Sequence, residues 1–338
     1  MKILAIETSC DETAAAVVEN GRIILSNAVF SQIEVHKEYG GVVPEIASRY
    51  HIEKISQLVE QALEESNCSM EDIDAVAATT APGLIGALLV GLNFAKALAF
   101  RHNKPFVPVH HIRGHIAANY LAYPELEPSF FALVVSGGHS HIVAVESYTE
   151  FKVIGKTRDD AAGEAFDKGA RVLGLPYPGG VHMDRLAQQG NPQTFKFPKV
   201  HFTDAPYDFS FSGVKTSIVN FTHQCKMKNE AFSAPDVAAG YMNAITDVLC
   251  ENFVKAAREF GYKKLVVAGG VSANSMLREK LNEICKAEGY SLYLPSLSLC
   301  GDNAAMIGSQ AYYEYVVGNI GVLSQNAKPS MSIESDFM

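Results

Sequence analysis

The chain has 338 residues, 48% of them hydrophobic and 19% charged, and a net charge of −9. That is long enough for two packed cores and too apolar for extended disorder. Its acidity excludes an unaided grip on nucleic acid, except through a local basic patch or a helper protein. The six cysteines, at 10, 68, 225, 250, 285 and 300, form no C-x-x-C pair. A zinc ribbon and a disulfide framework are therefore excluded, and a reducing compartment is expected.

The opening MKILAIETS runs straight into a strand, with no charged leader or cleavage signal, so the expected location is cytoplasmic. KILAIET, AAAVVEN and RIILSNAVF read as three strands rich in Ile, Val and Ala. Pro44 then opens a helix whose apolar residues Ile52, Ile55, Leu58, Val59, Ala62 and Leu63 follow the 3.6 period. DAVAATT is a strand. The apolar run at 84–100, LIGALLVGLNFAKALAF, is short for a membrane span and carries Asn93 and Lys96, which predicts a buried core helix. PFVPVH is the next strand.

The order then restarts with FFALVVS, a glycine turn and HIVAVES, followed by a long helix over about 234–260. KKLVVAGG is a strand entering a helix near Ser272, SLYLPS is the last strand, and the last helix begins near Asp302 with that residue as its N-cap. Residues 3–18 and 131–146 share one plan of strand, polar turn and strand. Two βββαβα halves imply an internally duplicated α/β fold with ligands bound between lobes.

In HHIRGH (110–115), His111 and His115 are four residues apart, on one face of a helix and close enough to share an ion. The zinc-peptidase pattern H-E-x-x-H has this spacing, but Ile112 stands where that pattern has its glutamate base. A metal is suggested and a peptidase is not. Asp302 in LCGDNAAMI is the best third ligand, since two histidines and a carboxylate leave positions open for substrate. His110, His139 and His141 are reserves.

Glycine pairs at Gly137-Gly138 and Gly269-Gly270 sit on turns beside strands, where a bare backbone can aim N–H groups at a phosphate. No G-K-[ST] follows, so neither is a Walker loop. Asp167 and Asp184 flank a third glycine cluster, LPYPGGVHMD, and carboxylates beside a nucleotide commonly bind ribose. ETSCDET places Glu7, Asp11 and Glu12 around the first turn, as candidate bases or metal–phosphate contacts. Cys10 has no visible basic partner and reads as a structural thiol.

Taken together, IETSCDETAAA, EYGGVVPEIASR, PGLIGALLVG, VHHIRGH, VSGGHS, DDAAGEAFDKGARVLGLPYPGG, FSFSGVKT, GGVSAN and DNAAMI resemble the TsaD (formerly Gcp) family over about residues 2–310. This is the family of bacterial tRNA threonylcarbamoyladenosine synthase catalytic subunits. The resemblance implies an actin-like, hexokinase-like ATPase fold. One lobe would span 1–110 with about 303–325, the other 111–302, and 326–338 would form a tail.

The implied reaction moves a threonylcarbamoyl group from threonylcarbamoyl-AMP to N6 of the adenosine beside the anticodon, in tRNAs reading codons that begin with A. It further implies one divalent metal per chain, Fe(2+) ahead of Zn(2+), on His111, His115 and Asp302. ATP or the adenylate would be held by Val134, Val135, Ser136, Gly137, Gly138, Asp167, Gly180, Asp184 and Asn274. Asp11 or Glu12 would take the N6 proton. Implied partners are tRNA, a paralogue of the same fold and a small P-loop ATPase, with no membrane. Ala81 and Gly301 depart from the family's usual residues without removing a functional side chain.

Three other functions compete: a metallopeptidase, a phosphotransferase of the same fold, and a non-enzymatic ATP-binding module. Only the transferase uses every unusual residue. For RNA contact, Lys196, Lys199, Lys226 and Lys228 are the basic candidates. For the paralogue, the helices over 44–63 and 84–100 could offer an apolar face.

Overall fold

A computed structural model describes residues 1–337 of the chain, which form two compact units. The first comprises Met1–Pro128, Val145–Lys152 and the chain from Pro295 onward; the second comprises Ser129–Ala144 and Val153–Leu294.

In chain order the first unit contains β1 (Lys2–Glu7), β2 (Glu12–Glu19), β3 (Ile23–Ser31), α1 (Ile33–Lys37), α2 (Pro44–Glu65), β4 (Ala75–Ala81), α3 (Ile85–Arg101), β5 (Phe106–His110) and α4 (His111–Ala122). The second contains β6 (Phe130–Val135), most of β7 (Ser140–Val145) and of β8 (Phe151–Lys156), α5 (Ala162–Val172), α6 (Gly179–Ala187), α7 (Ser212–Lys228), α8 (Ala234–Phe260), β9 (Lys264–Ala268), α9 (Ser275–Glu288) and β10 (Ser291–Tyr293). The chain then completes the first unit with α10 (Leu297–Cys300) and α11 (Ala304–Val316).

The two sheets have one topology. The first runs β3-β2-β1-β4-β5 and the second, read in the same sense, β8-β7-β6-β9-β10. In the first, β1 pairs antiparallel with β2 and parallel with β4, which pairs parallel with β5. The duplication expected from the sequence is thus present in the strand order.

Sequence patterning explains the layers of the first unit. Strands β4 and β5 are buried throughout, as expected of parallel strands covered on both faces. Along β1 the side chains alternate. Leu4 and Ile6 join a core with Ile55, Leu58 and Val59 of α2 and Leu88 and Leu92 of α3. Ile3 and Ala5 join a second core with Ala118 of α4 and Met306 and Ile307 of α11. A period of two thus sends successive residues to opposite helical layers. Each Leu or Ile so buried contributes about 1.5–3 kcal/mol. In the second unit, α8 is the central helix. It is capped by the Ser233 side chain, ends at Gly261 with φ 77°, and buries Tyr241, Met242 and Phe253 among others.

Helix α4 packs against α11 and, like the segment from Pro295, lies in the first unit, where the sequence expectation draws lobe limits at 110/111 and 302/303. Within the expected tail, Ala327 and Ile333 are buried. One element start is corrected. The helix expected near Ser272 starts at Ser275 after a single 3-10 turn, because Asn274 is the residue whose side chain caps it by accepting from Leu277 N.

Among the described residues, no helix is long and apolar enough to cross a membrane.

Helix α3 approaches the β1–β2 turn closely at Gly91. Its N–H donates to Thr8 Oγ1 at 3.2 Å, and an added Cβ would lie 2.3 Å from that oxygen. Gly91→Ala should therefore lower stability in denaturant unfolding by about 1–3 kcal/mol; an unchanged midpoint would contradict this close approach.

Candidate metal centre and glycine turns

Strands β1, β4 and β5 are parallel, so their C-terminal ends lie along one edge of the first sheet. That edge supplies Glu7 from β1, Thr79 from β4 and, where β5 passes into α4, His111. The transition is sharp because the last strand residue caps the helix: His110 Nδ1 accepts from Ile112 N at 3.2 Å. Its Nε2 lies 3.3 Å from Met331 O, so His110 is a structural residue and not a reserve ligand.

Helix α4 brings His111 and His115 together, with ring centroids 4.6 Å apart. Asp302 arrives from the loop before α11. Helices α4 and α11 approach closely at Gly114, where a Cβ would lie 2.7 Å from Ile307 Cδ1. Asp302 is not the N-cap of α11, contrary to expectation. Asn303 takes that role, its Oδ1 accepting from Met306 N at 3.0 Å. The carboxylate of Asp302 is released for the histidines: its Oδ1 lies 3.5 Å from His111 Nε2 and 3.1 Å from His115 Nε2.

One ligand atom from each of the three residues lies within 4.8 Å of the others, and this is the trio of potential ligands that converges among the described residues. His115 tests the fit. Its Nε2 is buried and close to Asp302, yet it makes no hydrogen bond. A buried ring nitrogen of this kind, beside a second imidazole and a carboxylate, suits a divalent metal with open positions.

The sequence offers Glu7 as a candidate base or metal–phosphate contact on an acidic turn. It is wholly buried and sits behind His111. Its Oε2 lies 3.1 Å from His111 Nδ1 and accepts from Thr79 Oγ1 at 2.5 Å, while its Oε1 accepts from Ser9 N. Ser9 Oγ also contacts His111 Nδ1, at 3.1 Å. A carboxylate on Nδ1 fixes the tautomer and leaves Nε2 to face Asp302. Burial disfavours a charged His111, but the carboxylates of Asp302 and Glu7 overcome it and raise its pKa to about 9. A field that holds a proton this firmly also favours a cation.

Asp11 and Glu12 lie on the same turn. Burial first, then the charges of Asp11 and Asp302 and a hydrogen bond with Asp11, push Glu12 well above the usual carboxylate range. By exposed area Glu12 is only partly buried, so the carboxylate neighbours are the firmer cause. Ser31 Oγ donates to Glu12 Oε1 at 3.0 Å. The Cys10 thiol is pushed well up by burial and by Asp11, Asp302 and Glu12, which fits a structural thiol.

The second unit gathers the other expected residues. Val134 and Val135 end β6, and the turn after them is tied by Ser136 N to His139 O at 2.8 Å and by His139 N to Ser136 Oγ at 3.2 Å. Gly137 and Gly138 are exposed, an added Cβ at either would meet nothing within 4 Å, and neither N–H is hydrogen-bonded among the described residues. Close approach at two other glycines packs this turn: a Cβ on Gly163 of α5 would lie 2.6 Å from Ser136 O, and one on Gly269 (φ 88°) 2.4 Å from Val135 O.

Asp167 Oδ1 accepts from Gly180 N at 3.0 Å. Asp184 accepts from Ser275 Oγ at 2.7 Å and Ser275 N at 3.2 Å, with Asn274 Nδ2 3.4 Å away. His139 on this turn and His141 in β7 have ring centroids 5.5 Å apart, lie in the second unit and stand outside the trio. Among the basic candidates, Lys199 is held by Asp247 at 2.6 Å and Glu251 at 3.1 Å, whereas Lys196, Lys226 and Lys228 are exposed.

The chain matches the family model described as TsaD, tRNA N6-adenosine threonylcarbamoyltransferase, over residues 23–309. It is 53% identical over 333 residues to the tRNA N6-adenosine threonylcarbamoyltransferase of Clostridium botulinum (strain 657 / Type Ba4), covering 98% of each chain. It is 54% identical over 331 residues to that of Clostridium perfringens (strain SM101 / Type A), again covering 98% of each. Among solved structures it resembles T. kodakarensis HypF, with TM-score 0.62 and 15% identity, over 94% of this chain and 48% of that one. It also resembles component A of the Acidaminococcus fermentans (R)-2-hydroxyglutaryl-CoA dehydratase, with TM-score 0.53 and 14% identity, over 94% and 99%. At such identities the structural likeness shows the fold alone, and that fold is the actin-like α/β fold expected from the sequence.

Because Glu7 orients His111 through Nδ1, Glu7→Gln should weaken zinc binding about 10- to 100-fold in a chelator competition. Unchanged affinity in a folded variant would contradict the role given to Glu7.

Proposed function

The chain belongs to the TsaD family of tRNA N6-adenosine threonylcarbamoyltransferases, and from that premise we propose how its own residues carry the transfer. The enzyme adds a threonylcarbamoyl group to N6 of an adenosine in tRNA. In our reading the donor is threonylcarbamoyl-AMP, and the acceptor is the adenosine beside the anticodon in tRNAs that read codons beginning with A. The observation that carries this reading is the convergence of His111, His115 and Asp302, with His115 Nε2 buried and unbonded.

These three residues would hold one divalent metal, with Fe(2+) ahead of Zn(2+) for a site of two imidazoles and one carboxylate. When bound, the metal supplies Lewis-acid polarisation of the donor. Glu7 and Ser9 keep the His111 ring in place. Adenylate recognition falls to Val134, Val135, Ser136, Gly137, Gly138, Asp167, Gly180, Asp184 and Asn274. The exposed N–H groups of Gly137 and Gly138 are suited to phosphate oxygens, where they would steady the charge growing on the AMP leaving group.

The N6 nitrogen attacks the carbamoyl carbon, the bond to the AMP oxygen breaks, and the N6 proton must leave. The Asp11–Glu12 pair would accept it. With its pKa raised by burial and by neighbouring carboxylates, Glu12 is a stronger base than an ordinary carboxylate whenever it is ionised. The first unit also carries an apolar groove between α2 and α3, lined by Ile52, Ile55, Leu89, Val90 and Phe94, with Ile52 65% exposed. We assign it to the same-fold paralogue, with a small P-loop ATPase as a further partner and the cytoplasm as the compartment. A metallopeptidase is disfavoured by Ile112 and by the family.

Incubation of the zinc- or iron-loaded chain and its partners with a tRNA transcript and labelled threonylcarbamoyl-AMP should yield labelled threonylcarbamoyladenosine on nucleoside analysis. The His111→Ala, His115→Ala double variant should yield none; label transfer at the intact rate by that variant would overturn the metal's part in the reaction.

The glycine turn gives a separate test. A Cβ at Gly138 meets nothing within 4 Å, so Gly138→Val should fold and bind zinc normally while losing at least about 10-fold in AMP affinity. Equal AMP affinity by calorimetry would remove this turn from the site.

A further inference from the structure

The motif HHIRGH is only half used by the metal trio. Arg113 stands between the two ligands and is 1% exposed. Its guanidinium reaches away from them to the chain's last described residues. Nε and Nη2 donate to Ile333 O at 3.0 and 2.8 Å, and Nη2 also reaches Ser335 O at 2.9 Å and Asp336 Oδ1 at 3.3 Å. Nη1 donates to Glu314 Oε1 of α11 at 3.0 Å. Glu314 is itself held by Gln310 at 2.8 Å and Asn319 at 2.6 Å. His110, one residue before the first ligand, contacts Met331 O at 3.3 Å.

The segment Met331–Asp336 is therefore a strap across the start of α4. It has no helix or strand of its own, and only Ile333 in it is buried. Behind it lies a pocket of about 310 Å³ lined in part by Arg113, Glu314, Asn319 and Asp336. The strap is thus held at a few polar points more than by packing.

We propose that this strap, acting through Arg113 and His110, is a positioning element for the metal centre and sets its affinity. The inference rests on the assignment of a metal to His111, His115 and Asp302. A buried guanidinium with its donors satisfied and two carboxylates beside it is settled, and the metal-bearing turn is fixed with it. Without the strap Arg113 keeps Glu314 and the face of Phe151, 4.8 Å from its guanidinium. Its other donors then lose their protein acceptors to water, and the first turn of α4 loses the anchors at Ile333, Ser335 and Met331, which frees it to shift and moves His111 and His115 off their common point. Glu7 fixes the ring of His111 from one side; the strap fixes the helix backbone from the other.

Deletion of residues 331–338 should weaken zinc binding about 10- to 100-fold, measured by chelator competition, with circular dichroism unchanged. Arg113→Lys, which can reach Glu314 but cannot fork onto Ile333 O and Ser335 O, should fall between the deletion and the intact chain. A folded deletion variant with unchanged zinc affinity would overturn the inference.

Reciprocity supplies a test that needs no variant. If the strap favours zinc, zinc must favour the strap, so saturating zinc should slow amide hydrogen exchange across 331–337 in the intact chain by the same factor. Zinc bound with strap exchange unchanged would refute the coupling while leaving the metal site standing. A chain that binds no zinc would instead refute the metal assignment, and this inference with it.

Discussion

The contact between Glu7 and His111 is the constraint on which the rest of the site depends. A carboxylate with no exposed surface is costly to keep unless its oxygens are matched by donors, and Glu7 is matched by Ser9 N, Thr79 Oγ1 and His111 Nδ1. Each donor comes from a different part of the first unit: the turn after β1, the end of β4 and the start of α4. The contact can form only if the three parallel strands are in register and β5 ends at His110. Sheet topology and metal chemistry are thereby tied together at one buried side chain. The direction of the pKa shifts agrees: burial works to raise Glu7, but His111 overrides it and holds Glu7 down, while Glu7 and Asp302 hold His111 up.

The two units use one strand order for different purposes. In the first, the turn after the opening strand carries acids, Glu7, Asp11 and Glu12, and the following elements bring histidines to them. In the second, the equivalent turn carries Ser136, Gly137 and Gly138, and small residues at Gly163 and Gly269 let neighbouring backbone close around it. The same scaffold thus presents charge in one copy and bare N–H groups in the other.

Much of this was legible in the sequence because it rests on local periodicity. The i, i+4 spacing of His111 and His115 survives as a real helical face, and Gly137-Gly138 sits on the turn that the flanking apolar runs predicted. What was not legible depended on competition between neighbours or on distant pairing. Asp302 and Asn303 are both good helix caps, and nothing local says that Asn303 takes the role and frees Asp302. Glu7 resembles any acid near a turn until β4 and α4 are seen to bury it. Arg113 looks like an exposed cation in a polar motif, yet its partners lie some two hundred positions later in the chain. The packing of α4 is hidden for a related reason: it takes its partner, α11, from the far end of the sequence.

The most direct measurement is X-ray absorption at the metal edge of the iron- or zinc-loaded chain. Two imidazole nitrogens at about 2.0–2.1 Å together with carboxylate oxygen are expected, and the His115→Ala variant should lose one imidazole from that shell. A loaded protein whose metal shows no imidazole scattering, or whose shell is unaltered in His115→Ala, would contradict the placement of the metal on His111, His115 and Asp302.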